Sequence, residues 1–248
     1  MQIIKVPGVN GLGNTGKTRN AGNAIIEETG KGKLLDIEEI HVDNSNLEEQ
    51  EKLIYENAKQ ELEKGKTAFL GGDHSISYST CKAFMNYFGA EESFLIVFDA
   101  HADLMPSMKE PTHEEWLRKL IEEGWKTENI ILVGLRKIEN KELEFLKQNN
   151  MRYFEMKNIE DKEGVADLIM EASQGKNLYL SLDIDVVDPA FAPGTGYLEP
   201  GGFSSQEIFY FMRRLKKLKN LKALDIVEVQ EDNKMTVKLA ARILEEFL

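Results

Sequence analysis

The sequence has little cysteine, a shortage of basic charge and no long apolar run. One cysteine, Cys81, excludes a disulfide framework and a thiolate metal cage. The 43 acidic residues outnumber the 31 basic ones, and a net charge of −12 argues against nucleic-acid and acidic-lipid partners. No apolar run approaches the roughly 20 residues that span a bilayer, and no signal-peptide pattern opens the chain. We therefore expect a cytoplasmic protein with a small or cationic ligand and no membrane partner.

Short apolar runs alternate with amphipathic segments along almost the whole chain. The runs that predict buried strands are 3–6, 67–70, 94–98, 130–134, 178–184 and 221–227, with a weaker one at 151–156. Helical patterns occupy 46–64, 75–87, 113–123, 141–148, 161–173, 204–218 and 234–248. Buried strands that alternate with helices indicate a parallel sheet covered by helices. The prediction is one α/β domain over residues 1–248, built on a mostly parallel, doubly wound sheet.

Ionisable residues follow several of these runs, at the strand ends where parallel sheets bind ligands. GGDHS (71–75) follows one run and DAHADL (99–104) another, Asp183 and Asp185 lie at the end of a third, and Glu228 follows the last. Polar residues placed in this way predict a site at the carboxyl edge of the sheet.

The spacing of these residues favours metal binding. Asp99, His101 and Asp103 are two residues apart, so in extended backbone their side chains would project from one face. Asp183 and Asp185 repeat that spacing. Ionisable groups on an apolar strand carry a large desolvation cost, which bound cations would offset.

His74, from GGDHS, would complete a set of two imidazoles and four carboxylates, whose charge balances two divalent ions. Such a donor set favours Mn²⁺, with Co²⁺, Ni²⁺ or Zn²⁺ as substitutes. Two ions about 3.5 Å apart can activate a shared water near neutral pH. Each motif alone has a plainer interpretation, such as a hydrogen-bonded cluster or a capped turn before a helix. Their joint occurrence at successive strand ends favours the metal site.

GGDHS, DAHAD and SLDIDVVDPAFAPGTG together resemble the three signature motifs of the ureohydrolase family, which includes arginases, agmatinases and formimidoylglutamases. The resemblance extends from about residue 7 to beyond residue 228. It implies a three-layer α/β/α fold, two Mn²⁺ ions per chain, and hydrolysis of a guanidino group to urea and an amine. It also implies a homo-oligomer, a trimer or a hexamer.

The resemblance assigns roles to the matching residues. One ion would be held by His74, Asp99, Asp103 and Asp183, and the other by His101, Asp99, Asp183 and Asp185. Asp99 and Asp183 would thus bridge the ions, and Asp99 would take part in catalysis. Glu228 matches the glutamate that pairs with the guanidinium, to which a planar carboxylate is complementary. His113 resembles the histidine that shuttles protons to the departing amine, although it lacks the usual Gly/Ser-rich surroundings, and its plainer interpretation is a solvent-facing residue.

The substrate prediction depends on three departures from the arginase pattern. Met105 stands where arginases carry a polar residue that contacts the α-carboxylate. The segment APGTGYLEPGG (192–202) resembles the corresponding loop of agmatinases more than that of arginases. Glu139 is a looser match to the residues that contact the substrate amine. We therefore expect a cationic guanidine, agmatine before others, with putrescine and urea as products. Arginine, guanidinobutyrate, formimidoylglutamate and aminopropyl-guanidines stay open.

Two other functions would use similar residues. A zinc deacetylase shares a related fold but uses one ion and a histidine dyad, and only His74 stands where the dyad would lie. A metal-bound scaffold without turnover would carry the same ligands.

A nucleotide-binding function is suggested by GLGNTGKT (11–18), which matches the phosphate-loop pattern G-x-x-x-x-G-K-[ST]. That function would use Asp99 for Mg²⁺ and leave the other five expected ligands unexplained, and residues 7–10 separate the loop from its strand as a turn. We therefore expect a structural loop that leads into a helix near 19–28.

Overall fold

The computed structural model describes residues 1–11, 13–29 and 35–248. Within these residues the chain forms eight strands, all paired in parallel in one sheet of order β2-β1-β3-β8-β7-β4-β5-β6. The strands are β1 (Gln2–Val6), β2 (Asp36–Glu39), β3 (Thr67–Gly71), β4 (Ser93–Phe98), β5 (Ile130–Leu135), β6 (Arg152–Glu155), β7 (Asn177–Asp183) and β8 (Leu221–Val227).

Eight α-helices in the described ranges connect or follow these strands. They are α1 (Ala21–Thr29), α2 (Leu47–Lys64), α3 (Ile76–Phe88), α4 (Trp116–Glu122), α5 (Asn140–Gln148), α6 (Lys162–Ala172), α7 (Ser205–Leu215) and α8 (Lys234–Phe247). Side-chain caps begin several of them: Asn46 accepts from Glu49 N at α2, and Asn233 accepts from Thr236 N at α8. Such caps satisfy backbone donors that have no partner inside the helix.

The sheet separates two hydrophobic cores. Helices α1, α6, α7 and α8 pack against one face, where the core includes Ile25, Ile169, Phe211 and Leu244. Helices α2, α3, α4 and α5 cover the other face around residues such as Phe84 and Trp116, the latter fully buried. The predicted three-layer α/β/α arrangement with a doubly wound parallel sheet is therefore confirmed.

The strand order brings the polar motifs together. From β3 the chain crosses through α3 to β4, and it later fills the gap between these two strands with β7 and β8. The four central strands β3, β8, β7 and β4 are the ones that the motifs follow. Because parallel strands end at the same edge, four segments far apart in sequence meet there.

The structure differs from the sequence prediction at three places. Strand β2 was missed because Asp36–Glu39 is a short, largely exposed and charged segment that pairs with β1 at the edge of the sheet. Helix α4 begins at Trp116 instead of His113, since the Glu115 carboxylate accepts from Thr112 N and Thr112 Oγ1 and closes a turn first. Helix α7 ends at Leu215 and not at Leu218.

No helix among the residues that the structure describes combines the length and the apolar character required to cross a membrane.

Candidate metal centre

All six expected ligands lie together at the carboxyl edge of the four central strands. His74 follows β3 in the turn before α3, and Asp99, His101 and Asp103 follow β4. Asp183 is the last residue of β7, and Asp185 lies in the 3-10 turn Ile184–Val186. Five of these side chains are buried, and His101 is partly exposed at the rim.

The backbone does not stay extended through these motifs, contrary to the expectation from the two-residue spacing. Strand β4 ends at Phe98, and Asp103 has a left-handed φ of 53°. The first aspartate of each motif instead accepts a hydrogen bond from the backbone two residues on: His101 N donates to Asp99 Oδ1 at 2.7 Å, and Asp185 N donates to Asp183 Oδ1 at 2.8 Å. These are Asx turns, which bend the chain at the strand end and bring the side chains together from two loops.

The first cluster converges on Nδ1 of His74. This atom lies 3.0 Å from Asp99 Oδ2, 3.1 Å from Asp103 Oδ2 and 3.3 Å from Asp183 Oδ2. His74, Asp99 and Asp103 form a buried donor set for one cation, and Asp183 lies beside it.

A second cluster forms around His101. Its Nδ1 lies 2.9 Å from Asp185 Oδ2 and 3.5 Å from Asp99 Oδ1. Asp99 therefore presents Oδ2 to the His74 cluster and Oδ1 to the His101 cluster. A carboxylate shared in this way is suited to bridge two cations.

The pKa values reflect an excess of buried negative charge. Burial raises the pKa of Asp103 to about 7, and the neighbouring Asp99 adds to that shift. Burial, with Asp185 and Asp99, also raises the pKa of Asp183. Burial alone would lower the pKa of His74, but its carboxylate neighbours outweigh burial and raise it well above its usual value.

The same balance holds at the second cluster. Burial opposes the charged form of His101, yet Asp185 and Asp99 raise its pKa. Burial acts to raise the pKa of Asp99, but contacts with His101 and His74 dominate and hold it below its usual value. Protonated imidazoles thus compensate the carboxylates when the protein holds no other cation.

The residues fit divalent cations. His74 Nδ1 and Asp99 Oδ2 are buried and make no hydrogen bond within the described residues, although they face each other. The far side of the His74 ring is fixed, since Nε2 lies 2.9 Å from Ser181 Oγ, which donates to Asp225 Oδ1. Such outer contacts orient an imidazole toward a metal. The four carboxylates and two imidazoles would hold two ions, and the unsatisfied His74 Nδ1 and Asp99 Oδ2 are two of the atoms that would bind them.

Glu228 lies beside this centre at the end of β8. Its backbone is left-handed, with a φ of 62°, and its N–H donates to Gly72 O. Oε1 accepts from His74 N at 2.9 Å, whereas Oε2 is buried and has no hydrogen-bond partner among the described residues. Burial, with Asp183 and Asp73, raises the pKa of Glu228. Oε2 is therefore an unsatisfied buried oxygen beside the metal centre.

His113 lies over the same place and is 8% exposed, so the solvent-facing alternative is wrong. A ligand atom of its ring lies within 4.8 Å of carboxylate oxygens of Asp73 and Glu228, and the ring stacks on Tyr197 at a centroid distance of 5.3 Å. Burial, together with the charges of His74 and His101, lowers the pKa of His113 to about 4. Its imidazole is therefore neutral at pH 7.

A cavity of about 390 Å³ leads from solvent to His101 and His113. Its wall carries four glutamates against one lysine: Glu114, Glu139, Glu142, Glu199 and Lys137. Met105 also lines it. Glu139 lies at this mouth, where its carboxylate is 3.1 Å from Lys137 Nζ and takes part in the capping box of α5.

Sequence reasoning missed the polar residues behind the centre. Asp225 is fully buried in β8 and accepts hydrogen bonds from Ser77, Tyr179 and Ser181 at 2.8, 2.9 and 2.8 Å. The signal was present as a polar residue flanked by leucine or isoleucine inside each apolar run, Ser181 in LYLSLDI and Asp225 in LKALDIV.

The glycine-rich stretch 11–18 contacts this site through Gly11. Leu12 lies outside the described residues, and Asn14–Thr18 forms a 3-10 helix. Gly11 N donates to Asp73 Oδ2, and a Cβ at Gly11 would lie 2.4 Å from His113 Nδ1, so a larger residue would displace the histidine. Lys17 bonds Asp232 on the surface, 2.8 Å away.

Comparisons with known proteins find a matching family and similar folds. The Arginase family model matches residues 14–248. An arginase of Staphylococcus aureus (strain MSSA476) is 30% identical over 247 residues, covering 88% of this chain and 81% of that protein. The structure of formimidoylglutamase from Bacillus subtilis subsp. subtilis str. 168 has a TM-score of 0.91 at 25% identity and covers 99% of this chain and 85% of its own. Proclavaminate amidino hydrolase from Streptomyces clavuligerus has a TM-score of 0.88 at 26% identity, with coverages of 99% and 89%.

Metal binding is predicted to release protons. Carboxylate neighbours raise the pKa values of His74 and His101, so both rings carry protons at pH 7 in the metal-free protein, and an ion must displace these protons. Calorimetric titration of the metal-free protein with Mn²⁺, in two buffers of different ionisation enthalpy, measures the protons released. We expect release at pH 7 and tighter binding as the pH rises. Binding without proton release would contradict the pKa assignment.

Proposed function

Because this chain belongs to the arginase family, we propose that it hydrolyses a guanidino group to urea and an amine with two divalent ions, Mn²⁺ before others. The observation that carries this proposal is the position of Asp99, which offers one oxygen to His74 and the other to His101. A bridging carboxylate between two donor clusters is what a two-ion centre requires. When bound, the ions would supply Lewis-acid activation of a water, which lowers the pKa of that water and makes it a nucleophile toward the guanidino carbon.

The protein's own residues orient the substrate and move the proton. Glu228 Oε2 accepts an N–H of the guanidinium and aligns its plane with the metal centre. The neutral imidazole of His113 takes up at a ring nitrogen the proton that the attacking water loses, and it passes this proton to the amine as the C–N bond breaks. Its low pKa makes the protonated ring a strong acid toward that amine.

We propose agmatine as the substrate, on the basis of the cavity wall. Four glutamates and one lysine line the space beyond the metal centre, and this net acidic wall favours a cationic tail. The basic groups nearby are already engaged: Lys137 pairs with Glu139, and Arg136 donates from Nε to Glu199 O at 3.0 Å. A substrate carboxylate, as in arginine, would meet acidic neighbours and the apolar Met105 instead of free donors.

A substrate panel tests this proposal. The Mn²⁺-loaded protein is assayed on agmatine, arginine, guanidinobutyrate and formimidoylglutamate, with the amine product of each measured, because urea would not report the last one. We expect kcat/KM for agmatine to exceed that for arginine by about tenfold or more, since one badly placed carboxylate costs about 1.4 kcal/mol or more.

The controls separate the alternatives. Asp183→Asn removes an expected ligand of both ions and should abolish turnover of every substrate, whereas Glu139→Gln should raise KM for agmatine and leave kcat largely unchanged. A preference for arginine would overturn the substrate assignment. Metal uptake without turnover of any guanidine would support a scaffold, and about one tightly bound Zn²⁺ per chain without Mn²⁺ activation would support the deacetylase.

The glycine-rich loop gives a separate prediction. Lys17→Ala should leave kcat and KM for the guanidine substrate within about twofold, because the Lys17 side chain is 64% exposed and pairs with Asp232, which is also exposed. The measurement is steady-state kinetics alongside ATP binding by calorimetry. Detectable ATP binding that Lys17→Ala removes would instead support the phosphate-loop function.

A further inference from the structure

Trp116 contacts two of the expected metal ligands. It lies fully buried at the start of α4, and its indole Nε1–H donates to Asp103 Oδ2 at 2.7 Å. Its ring centroid lies 4.7 Å from that of His74, with the planes inclined at 38°. One side chain therefore restrains both the carboxylate and the imidazole of the first cluster.

Asp103 needs such support because its backbone is left-handed. A φ of 53° costs an ordinary residue about 1–2 kcal/mol, and neighbouring contacts must hold it in place. The chain around the start of α4 provides them: Arg118 N donates to Asp103 O at 3.4 Å, and Met105 N donates to Glu114 O at 3.2 Å. With Trp116, this segment holds the residue at its backbone and at its carboxylate.

The indole is chemically suited to this role. It is a donor only, so it cannot compete for an ion or accept a proton in place of the carboxylate. A carboxylate oxygen has more than one lone pair, so Asp103 Oδ2 can accept the indole N–H and still face His74 Nδ1, 3.1 Å away. The hydrogen bond fixes the plane of the carboxylate while leaving its negative charge for the cation.

We propose that Trp116 is a positioning residue of the metal centre, which holds Asp103 in the orientation that binds the ion of the His74 cluster. The inference rests on the two-ion centre proposed above. It predicts unequal effects on the two ions, because Trp116 touches His74 and Asp103 and has no hydrogen bond to the second cluster in the described part of the chain.

The test is Trp116→Phe, which keeps an aromatic ring and removes the N–H. Mn²⁺ binding is measured by calorimetry and by electron paramagnetic resonance of the free ion. Loss of an outer hydrogen bond to a metal ligand weakens binding about 10–100-fold. We expect a weakening of that size for one ion and a change within about twofold for the other.

Trp125→Phe is the matched control. Trp125 is also buried on this face of the sheet and stacks on Phe84, but its Nε1 has no hydrogen-bond partner among the described residues. This variant should bind both ions as the parent does. Thermal unfolding of both variants shows whether a loss of binding merely follows a loss of folding.

The parent protein supplies a readout that needs no substitution. The sequence has two tryptophans, so its ¹⁵N-labelled form gives two indole N–H signals in NMR, which the single variants assign. On titration with diamagnetic Zn²⁺, the Trp116 signal should shift and the Trp125 signal should stay.

The outcomes are distinct. A folded Trp116→Phe protein that binds both ions with parent affinity, or a Trp116 signal that Zn²⁺ leaves unchanged while it binds, would overturn this role alone. A parent protein that binds no ion would overturn the metal centre itself. Turnover is not needed for either readout.

Discussion

The structure depends on the compensation of four carboxylates buried at one end of an apolar sheet. Asp99, Asp103, Asp183 and Asp185 lie buried at or near strand ends, and the imidazoles of the two clusters pair with them there. Uncompensated charge in such a place is strongly unfavourable. Two divalent ions would provide this compensation and would also provide the chemistry that hydrolysis requires.

The rest of the fold holds those side chains in place. The crossing from β3 to β4 leaves room for β7 and β8, so that distant segments end at the same edge. Asx turns then bend the chain, and the Ser181–Asp225 pair anchors the His74 ring from behind. Asp103 and Glu228 both have a left-handed backbone, and the side chain of each lies at the metal centre.

Much of the fold and site could be predicted from sequence, for identifiable reasons. Buried strands such as Phe94–Phe98 are continuous apolar runs, and ligands such as Asp99 and His101 follow them directly. The strand order could not be predicted from local patterns, because it depends on long-range pairing. The strand Asp36–Glu39 has no continuous apolar run, because it lies at the edge of the sheet, is largely exposed to solvent and pairs only with β1 among the described strands.

Contacts between residues that are distant in the chain could not be predicted from the sequence pattern either. Trp116 was expected only as part of a helix, and nothing local indicates that its N–H meets a carboxylate thirteen residues earlier. The same holds for Asp225, whose three hydroxyl donors come from two other elements of the fold. Such contacts depend on packing, which the alternation of apolar and polar residues does not specify.

Anomalous diffraction can show whether Asp99 bridges two ions. Crystals of the metal-free protein soaked in Mn²⁺ are measured above and below the Mn absorption edge. We expect two anomalous peaks about 3.5 Å apart, one beside His74 and one beside His101, with an Asp99 oxygen on each. A single peak, or two peaks that do not share Asp99, would contradict it.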